Sequence, residues 1–565
     1  MAQPYLEVSG ADGTRQVPIN DQPITIGRHA TNLVVLADQR ASRYHCVIEK
    51  ASNTLTIRDL DSSNGTKVNG RNIKSMRIGD GDVVQIGGTL LKVVAPSLAP
   101  LPARTPAAPA SVEDVEIEDE FDVVEVEIGE EEEDDDSEPV GFEAQLVRMA
   151  ESLPDKKIGE NGIALINARG ELAHPARKAP PAEGRDAVGI LRLILLICFR
   201  SRASDIHIEP KQEDFSVRIR TDGTMVDVVR LPKDVGTKLT SLVKILCDID
   251  ISQRSIVQEG HFSANVAERR VDYRVSFAPA MFGQKLVVRI LDTANTPFHV
   301  WDLQLPDWMY EEVMRAVKSD SGMVLVCGPT GSGKTSSLYA VIRDIDVNER
   351  NVVTIEDPIE IQLDGVTQIP VNEEKGNGFS SLLRSVLRQD PDAILVGEVR
   401  DPETARIALQ AAITGHLVFS TIHAKDTIGT IFRLFDLGVE PYLVASGLQL
   451  VLGQRLVRVL CQFCKQPVKP TADQLNRMGE AGQGVTKLFQ PKGCPRCMGT
   501  GFSGRRAMFE LLRTTEAMRD LIMKTPTLQE LQKSLDGSKF VKLSQSGYLL
   551  VAQGATSLEE IERSM

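Results

Sequence analysis

The chain lacks a long hydrophobic run. Its most apolar stretch, Gly189–Phe199, contains Arg192 and is shorter than the roughly 20 residues that a membrane-spanning helix needs. Residues 1–7 also lack the basic start and the apolar core of a secretory signal peptide. These absences argue against a transmembrane helix and against a secreted precursor, and we expect a cytosolic protein.

Basic residues are missing from one segment of the chain. The formal net charge is −14, but residues 112–138 contain seventeen Asp or Glu and no Lys or Arg, so the remainder of the chain is slightly basic. Aromatic residues are scarce as well, at 5% of the chain. No basic stretch with interspersed aromatic side chains, of the kind that binds nucleic acid, occurs in the sequence. We therefore expect no nucleic-acid partner.

Cysteine is also rare, and its eight positions divide into two groups. Four cysteines occur singly in apolar runs and are expected to be buried thiols: Cys46, Cys198, Cys247 and Cys327. The other four form two Cys-x-x-Cys pairs, Cys461 with Cys464 and Cys494 with Cys497. In a reducing cytosol such pairs favour a closed, tetrahedral Zn²⁺ site over disulfides, so we expect a structural zinc subdomain at residues 454–505.

The most specific local pattern lies at residues 322–335, where an apolar strand leads into a glycine-rich turn. The turn fits G-x-x-x-x-G-K-[ST] at every fixed position. It consists of Gly328, Pro329, Thr330, Gly331, Ser332, Gly333, Lys334 and Thr335. Its glycines let successive N–H groups surround an anion, and a helix predicted to start near Gly333 and to continue over residues 336–345 adds its positive dipole end. We expect Lys334 to reach the β- and γ-phosphates of a nucleotide and the Thr335 hydroxyl to bind Mg²⁺.

Strands alternate with helices over residues 296–565, which predicts a parallel sheet buried on both faces. Ligands of such sheets bind at the carboxyl ends of the strands, where Glu360, Glu398 and His423 lie in this prediction. Glu398 would support the Mg²⁺ shell and Glu360 would orient the attacking water, although carboxylates at strand ends are often helix caps. His416 and His423 bracket one strand, a position in which a histidine is usually structural.

The front of the chain has a different pattern. Residues 1–97 contain many short strands separated by Gly, Asn and Asp, which predicts an all-β sandwich. A Pro-rich and acidic stretch at 98–140 predicts a disordered tether, whose Val-Glu alternation would alternatively suit a strand added to a partner's sheet. Residues 141–185 predict a short helical or irregular connector, and residues 186–295 predict an α+β domain.

The predicted sandwich carries four short loop motifs: Gly27-Arg28, Ser42-Arg43-Tyr44-His45, Asn64-Gly65-Thr66 and Asn69-Gly70. In order and spacing they resemble the forkhead-associated (FHA) domain, a phosphothreonine-binding module. The resemblance implies that Arg28 and Ser42 hold the phosphate and that Asn64 holds the ligand backbone. Arg43 and Asn69 would assist, and His45 would brace the loops. The implied partner is a phosphothreonine-containing protein, and the alternative is a sandwich whose loops have lost phosphate binding.

Residues 187–510 resemble the ATPases of type II secretion and type IV pilus assembly, in which an α+β domain termed N2 precedes a RecA-like ATPase domain. The family's sequence boxes correspond here to residues 328–335, 354–360, 394–398, 414–416 and 421–423, preceded by a signature at residues 202–209. The resemblance makes Glu360 the catalytic carboxylate and Glu398 the metal-side carboxylate. It makes His416 and His423 sensors of the nucleotide state.

Two arginines on paired strands are the last of the site residues that the resemblance implies. Arg274 and Arg289 match positions that reach the γ-phosphate of a neighbouring subunit, and the alternative is a solvated strand face. The family assembles as hexameric rings that hydrolyse Mg²⁺-bound ATP. It acts on an inner-membrane platform protein, so a cytoplasmic homohexamer associated peripherally with that membrane is implied.

The tetracysteine motif resembles that of assembly and secretion ATPases, which favours those roles over pilus retraction. It does not separate pilus assembly from type II secretion. The chain departs from the family at its front, where an FHA-like sandwich on an acidic tether replaces the usual N-terminal helical domain. This departure suggests recruitment or regulation by threonine phosphorylation. The alternative function is a phosphopeptide-binding scaffold with a non-catalytic nucleotide-binding module.

Overall fold

The computed structural model describes most of the chain after residue 140 and much of the N-terminal part. The described residues are 4–10, 13–19, 24–29, 32–36, 38, 40–51, 54–60, 62, 65–69, 71–94, 141–154, 158–176, 185–266, 269–292 and 296–565. The predicted tether at 98–140 and the predicted ligand residue Asn64 lie outside them. The chain divides into two units, residues 1–131 and 132–565.

The first unit is a β-sandwich. Its strands are β1 (Tyr5–Gly10), β2 (Gly13–Pro18), β3 (Ile24–Gly27), β4 (Val34–Val35), β5 (Cys46–Ala51), β6 (Thr54–Asp59), β7 (Thr66–Val68), β8 (Arg71–Ile73), β9 (Ser75–Ile78), β10 (Val83–Ile86) and β11 (Thr89–Val94). One sheet has the order β2-β1-β11-β10-β7-β8 and the other β4-β3-β5-β6-β9. Strands such as β11 alternate buried and exposed side chains, so the core forms from one face of each strand.

The second unit begins with an α+β domain. Its elements are α1 (Phe142–Ser152), β12 (Ala164–Ile166), β13 (Leu172–His174), α2 (Ala187–Ser201), β14 (Asp205–Pro210), β15 (Asp214–Thr221), β16 (Thr224–Pro232), α3 (Lys233–Leu246), β17 (Gln258–Val266), β18 (Arg269–Ala280) and β19 (Gly283–Leu291). The eight strands form one antiparallel sheet of order β13-β12-β17-β18-β19-β14-β15-β16.

Helix α2 is the apolar run noted in the sequence. It begins after Asp186, whose side chain accepts a hydrogen bond from the backbone N–H of Gly189 at 2.8 Å, and it ends at Arg202 in the left-handed conformation. The helix is buried on nearly all sides, and its Arg192 donates to the backbone carbonyls of His174 and Pro175. Among the described residues, no helix combines the length and the apolar character that crossing a membrane would require.

The rest of the second unit alternates strands and helices. Its elements are α4 (Asp307–Val317), β20 (Gly322–Cys327), α5 (Lys334–Arg343), β21 (Val352–Glu356), β22 (Thr367–Pro370), α6 (Phe379–Val386), β23 (Ala393–Val396), α7 (Pro402–Ile413), β24 (Leu417–Ile422), α8 (Thr427–Asp436), α9 (Pro441–Gly447), β25 (Leu448–Leu460), β26 (Gln466–Val468), α10 (Ala472–Met478), β27 (Leu488–Gln490), β28 (Phe502–Arg513), α11 (Glu516–Met523), α12 (Leu528–Ser534), α13 (Leu543–Ala552) and α14 (Leu558–Ser564).

The topology of the seven-stranded sheet positions the candidate site. Its order is β22-β21-β23-β24-β20-β25-β28, and only β28 runs antiparallel to its neighbour. Strands β23 and β24 are buried at every residue because helices cover both faces. The carboxyl ends of β21, β23, β24 and β20 therefore lie side by side at one edge of the sheet, as expected for a doubly covered parallel sheet.

Strands β25 and β28 form a long antiparallel pair at the other side of the sheet, from Leu450–Arg513 to Leu460–Phe502. The chain between them contains the small hairpin of β26 and β27 and helix α10. One Cys-x-x-Cys pair follows β25 directly and the other precedes β28. The pairing of two long strands thus brings together cysteines that are thirty-three residues apart.

Candidate functional site

The glycine-rich turn connects β20 to α5. Helix α5 begins at Lys334, directly after Gly333, which adopts the left-handed conformation (φ 86°). The Lys334 ammonium donates to the backbone carbonyls of Gly328 and Pro329, both at 3.0 Å, so it lies across the loop. Burial lowers the pKa of Lys334. Thr335, at the first turn of α5, is exposed.

The backbone of this loop fits a phosphate group. A Cβ atom added at Gly328 (φ 152°) would lie 2.4 Å from the backbone oxygen of Gln454, so only glycine is compatible with this close approach. Within the described part of the chain, the buried hydroxyl of Ser332 has no hydrogen-bond partner. A buried hydroxyl without a partner is costly unless a ligand satisfies it, and a phosphate oxygen would do so.

Glu398 and His423 lie together beyond the ends of β23 and β24. The Glu398 carboxylate is nearly buried, pairs with the guanidinium of Arg400 and lies 3.7 Å from Nε2 of His423. Partial burial lowers the pKa of His423, and the positive charge of Lys334 lowers it further, so the imidazole is neutral at neutral pH. Sequence reasoning had not identified Arg400, although its position two residues after Glu398 was visible.

Glu360 lies in the turn that follows β21 and is half exposed. Its carboxylate contacts Arg274 of the same chain, with 3.3 Å between Oε2 and Nη1. The other guanidinium nitrogen of Arg274 donates to the carbonyl of Ile359 at 3.4 Å. The structure therefore brings together, within one chain, a predicted catalytic carboxylate and an arginine that we had expected to reach a neighbouring subunit.

Arg289 is the direct cross-strand partner of Arg274 in the pairing of β18 with β19. Its Nε lies 3.3 Å from Oδ1 of Asp205, at the start of β14, and its side chain is largely exposed. Two like charges placed opposite each other repel, and the acidic partners Glu360 and Asp205 offset that repulsion. Both arginines thus face acidic groups of their own chain.

The two histidines of the predicted nucleotide sensor do not lie together. His416 precedes β24, where its Nδ1 contacts the Ala411 carbonyl at 3.1 Å and its own carbonyl accepts from Gly322 at 3.1 Å. His423 follows the same strand at the opposite end. A strand of this length separates them by roughly 20 Å. Only His423 lies on the side of the phosphate loop in the same chain.

A buried group behind Glu360 had also not been identified from the sequence. The Tyr339 hydroxyl donates to the Glu356 carboxylate and accepts the backbone N–H of Glu360 at 3.2 Å. Glu356 belongs to the same sequence box as Glu360, and this position could have identified it as a residue of the site. Tyr339, by contrast, is one of several large side chains on an ordinary buried helix face, and its sequence position carries no such signal.

The four paired cysteines form one cluster. Their ligand sulfur atoms all lie within 4.8 Å of one another, and the closest pairs are Cys494–Cys497 at 3.7 Å and Cys464–Cys497 at 3.8 Å. Four thiolates at about 2.3 Å from Zn²⁺ in a tetrahedron would be about 3.8 Å apart. The backbone N–H groups of Cys494 and Gly501 point at the Cys497 sulfur at 3.2 and 3.3 Å, as suits a thiolate. The donor set therefore fits a closed structural zinc site.

The loops of the sandwich bring its predicted phosphate residues together. The backbone N–H of Arg28 donates to the Ser42 carbonyl at 3.1 Å, and Gly27 is required beneath them because an added Cβ would lie 2.2 Å from the Arg43 carbonyl oxygen. The Arg28 side chain is exposed. Asn32, which sequence reasoning had missed, donates to the Arg43 carbonyl at 2.7 Å and so ties the two loops.

His45 and Asn69 support these loops from below. The buried His45 accepts the Ser42 N–H on Nδ1 at 2.9 Å, and its Nε2 lies 3.2 Å from the Gly65 carbonyl oxygen, so the proton is on Nε2. Burial lowers the pKa of His45. The Asn69 amide donates to Asp82 at 2.7 Å and accepts from the N–H of Val83 at 2.9 Å, so its side chain holds the start of β10.

Comparison with known proteins agrees with this geometry. The family of type II/IV secretion system proteins matches residues 187–563, and the FHA domain matches residues 24–87. The chain is 37% identical over 414 residues to the type IV pilus assembly ATPase PilB of Myxococcus xanthus, covering 72% of each chain. It is 38% identical over 384 residues to the type II secretion system ATPase E of Vibrio cholerae, covering 67% of this chain and 76% of that protein.

A solved structure shares the fold. The X-ray structure of the Legionella pneumophila ATPase DotB superposes with a TM-score of 0.50 at 22% identity, covering 68% of this chain and 97% of that one. This likeness concerns the fold alone. The family match covers well over half of the chain and includes the phosphate loop, the acidic residues beyond it and the cysteine cluster. The chain therefore belongs to the type II/IV secretion system protein family and carries an FHA domain in its N-terminal unit.

Proposed function

We propose that the chain is the ATP-hydrolysing motor of a type IV pilus assembly or type II secretion machine. The chain is an ATPase, since the relatives that it resembles are named as ATPases. Its motor part would comprise an N2-like domain at 186–295 and a RecA-like domain at 296–565 that includes the cysteine-rich subdomain at 454–505. Six copies would form a ring at the cytoplasmic face of the inner membrane and act on a platform protein there.

One observation carries the proposal. Lys334, Glu398 and His423 converge at the carboxyl edge of the parallel sheet, next to a loop whose glycines suit a phosphate. The buried Ser332 hydroxyl of that loop, which has no partner among the described residues, suits a phosphate as well. A bound Mg²⁺ ion would offset phosphate charge, and the exposed Thr335 hydroxyl with the Glu398 carboxylate would hold its ligand shell. This set of residues is what nucleoside triphosphate hydrolysis requires.

The remaining roles follow from the same edge of the sheet. Lys334 would place its charge on the β- and γ-phosphates, and Glu360 would orient the attacking water. His423, neutral at neutral pH, can accept or donate a hydrogen bond beside Glu398 and so report on the presence of the terminal phosphate. Arg274 and Arg289 would approach the γ-phosphate of a neighbouring subunit, which requires Arg274 to leave Glu360 first.

The N-terminal unit would act as a recruitment or regulatory module. Arg28 and Ser42, with Arg43, Asn64 and Asn69, would bind a phosphothreonine segment of a partner protein. The acidic tether at 98–140 would let this module search for its ligand, and binding would raise the local concentration of the motor at its site of work.

Two variants of the full chain test the catalytic proposal. Lys334→Ala should lower steady-state ATP hydrolysis by at least about 100-fold, because it removes the cation that faces the transferring phosphate. Glu360→Gln should retain ATP binding and lose hydrolysis. The exposed residues Lys318 and Glu349 provide matched controls, as Lys318→Ala and Glu349→Gln, which should hydrolyse ATP normally. Near-normal turnover of Lys334→Ala would contradict the role proposed for this lysine. Absence of ATP hydrolysis by the unmodified chain would support the scaffold alternative with a non-catalytic nucleotide module.

A further inference from the structure

Tyr339 is a buried phenol that connects the phosphate-loop helix to the Glu360 turn. It lies on α5, five residues after Lys334 and therefore about 7.5 Å further along the helix axis. Its side chain is 1% exposed. Its hydroxyl donates to Oε2 of Glu356 and accepts the backbone N–H of Glu360 at 3.2 Å. One atom of the phosphate-loop helix thus holds the backbone of the predicted catalytic residue.

Glu356 is the centre of this group. It ends β21, is 3% exposed, and accepts hydrogen bonds from Thr354 Oγ1 at 2.5 Å and from Gln368 Nε2 at 3.0 Å in addition to Tyr339. Gln368 also donates to the Ile361 carbonyl at 3.0 Å. Gln368 and Tyr339 therefore fasten the turn after β21 at two points, and both meet at the Glu356 carboxylate.

The protonation state of the phenol suits this arrangement. Burial raises the pKa of Tyr339, and its hydrogen bond to Glu356 raises it further, so the hydroxyl keeps its proton and remains a donor. Burying a hydroxyl and a carboxylate costs desolvation free energy, and replacing such a hydrogen-bonded pair by apolar side chains of the same shape can be neutral or stabilising. What this pair adds, and an apolar pair would lack, is a directional bond to the backbone of Glu360.

We propose that Tyr339, paired with Glu356, is a positioning residue that fixes the Glu360 carboxylate relative to the phosphate loop. The inference rests on the catalytic role proposed above for Glu360. Because Tyr339 and Lys334 lie on one continuous helix, any displacement of the phosphate loop is transmitted to the Glu360 turn. The position of the water-orienting carboxylate then follows the position of the bound phosphates.

The test compares Tyr339→Phe with the unmodified full chain. The substitution keeps the ring and removes only the hydroxyl, so kcat should fall by at least about 10-fold through misplacement of Glu360. The KM for ATP and the affinity for ADP should stay within about two-fold, because the phosphate loop is untouched. The matched control is Thr427→Val, which removes a hydroxyl bond to another buried carboxylate, Glu510, without contact to the Glu360 turn.

A double-mutant comparison separates positioning from packing. Glu356→Gln replaces a charged acceptor by a neutral amide and weakens the bond from the phenol, so it should lower kcat in the same direction as Tyr339→Phe. The double variant should be no worse than the poorer single variant, because both changes act on one bond. A kcat for Tyr339→Phe within about two-fold of the unmodified chain overturns the proposal. Three other results also overturn the proposal: a loss of nucleotide affinity in Tyr339→Phe, a fall in the kcat of Thr427→Val as large as that of Tyr339→Phe, or additive losses of kcat in the double variant. Each of these results would assign Tyr339 a packing role.

Glu360→Gln distinguishes failure of this inference from failure of the proposed function. If Glu360→Gln is inactive and Tyr339→Phe is normal, the catalytic assignment stands and the positioning role fails. If Glu360→Gln turns over normally, the catalytic assignment itself fails, and the positioning role fails with it.

Discussion

Arg274 and Glu360 form an ion pair within one chain, with 3.3 Å between Nη1 of the arginine and Oε2 of the carboxylate. The pair joins strand β18 of the α+β domain to the turn after β21 of the nucleotide-binding domain. Both side chains are about 40% exposed, so water and salt reach the contact and the pair can open. Arg274, which is proposed to act on a neighbouring subunit, is thus held by Glu360, which is proposed to act in its own subunit.

The first prediction concerns the subunit on which Arg274 acts. Arg274→Ala should hydrolyse ATP at about one-tenth or less of the normal rate, because a cation is lost from the transition state. Mixing Arg274→Ala with Lys334→Ala subunits should recover part of the activity, since some interfaces then combine an intact loop with an intact arginine. Arg270→Ala, on the same face of β18, is the control and should be unimpaired. No recovery on mixing would show that Arg274 matters only to its own chain.

The second prediction concerns the cysteine cluster. The purified chain should contain about one zinc per chain, and Cys461→Ser should lose most of it, because three remaining thiolates leave the tetrahedron incomplete. Proteolysis should then cleave residues 454–505 faster, while ADP binding persists. Cys247→Ala removes a buried thiol outside the cluster and should keep the zinc. Metal analysis that finds no zinc in freshly reduced protein would contradict the assignment.

The third prediction concerns phosphothreonine binding. The fragment 1–97 contains the complete sandwich core and should bind phosphothreonine peptides from a library, while ignoring their unphosphorylated forms. Arg28→Ala should weaken binding by at least about 10-fold, because a charge-assisted bond to the phosphate is lost. Arg77→Ala, an exposed arginine on β9, is the control. Equal binding of phosphorylated and unphosphorylated peptides would make the sandwich a passive spacer.

The fourth prediction is a pH dependence of the same fragment. Burial lowers the pKa of His45 below its ordinary value of 6.5, even though the nearby Asp59 acts in the opposite direction. The unfolded chain therefore binds a proton more readily than the folded one. The contribution of His45 to the stability of the fragment is fully present above about pH 6.5, and it is lost as the pH drops through the folded-state pKa. Protonation of Nδ1 also breaks its bond from Ser42.

Thermal unfolding between pH 8 and pH 5 checks this expectation. The unmodified fragment should lose stability on acidification. The His45→Gln fragment should have a lower unfolding temperature at pH 8, but its unfolding temperature should fall less over the same pH range. Phosphopeptide affinity should fall in parallel, because Ser42 belongs to the phosphate loops. An identical pH profile for the two fragments would show that other groups cause the loss.

Features encoded by neighbouring residues were predictable from the sequence. The phosphate loop depends on backbone angles that Gly328, Gly331 and Gly333 permit, and these lie within six positions of one another. The family relationship and the FHA domain were also recognisable, since their motifs are short and ordered. Each Cys-x-x-Cys pair indicated a metal site before any geometry was available, because two thiols at that spacing suit one ion. In all these cases the residues that carry the chemistry lie close together in the sequence.

Contacts between distant residues were decided only by the tertiary structure. Arg274 and Glu360 are eighty-six positions apart, and the packing of two domains brings them together. Tyr339 meets Glu356 because α5 packs against β21, and His416 and His423 separate because one strand carries them to opposite edges of the sheet. Sequence supplies the residue types for such contacts. Which pairs form depends on how the buried faces pack, and packing is a property of the whole chain.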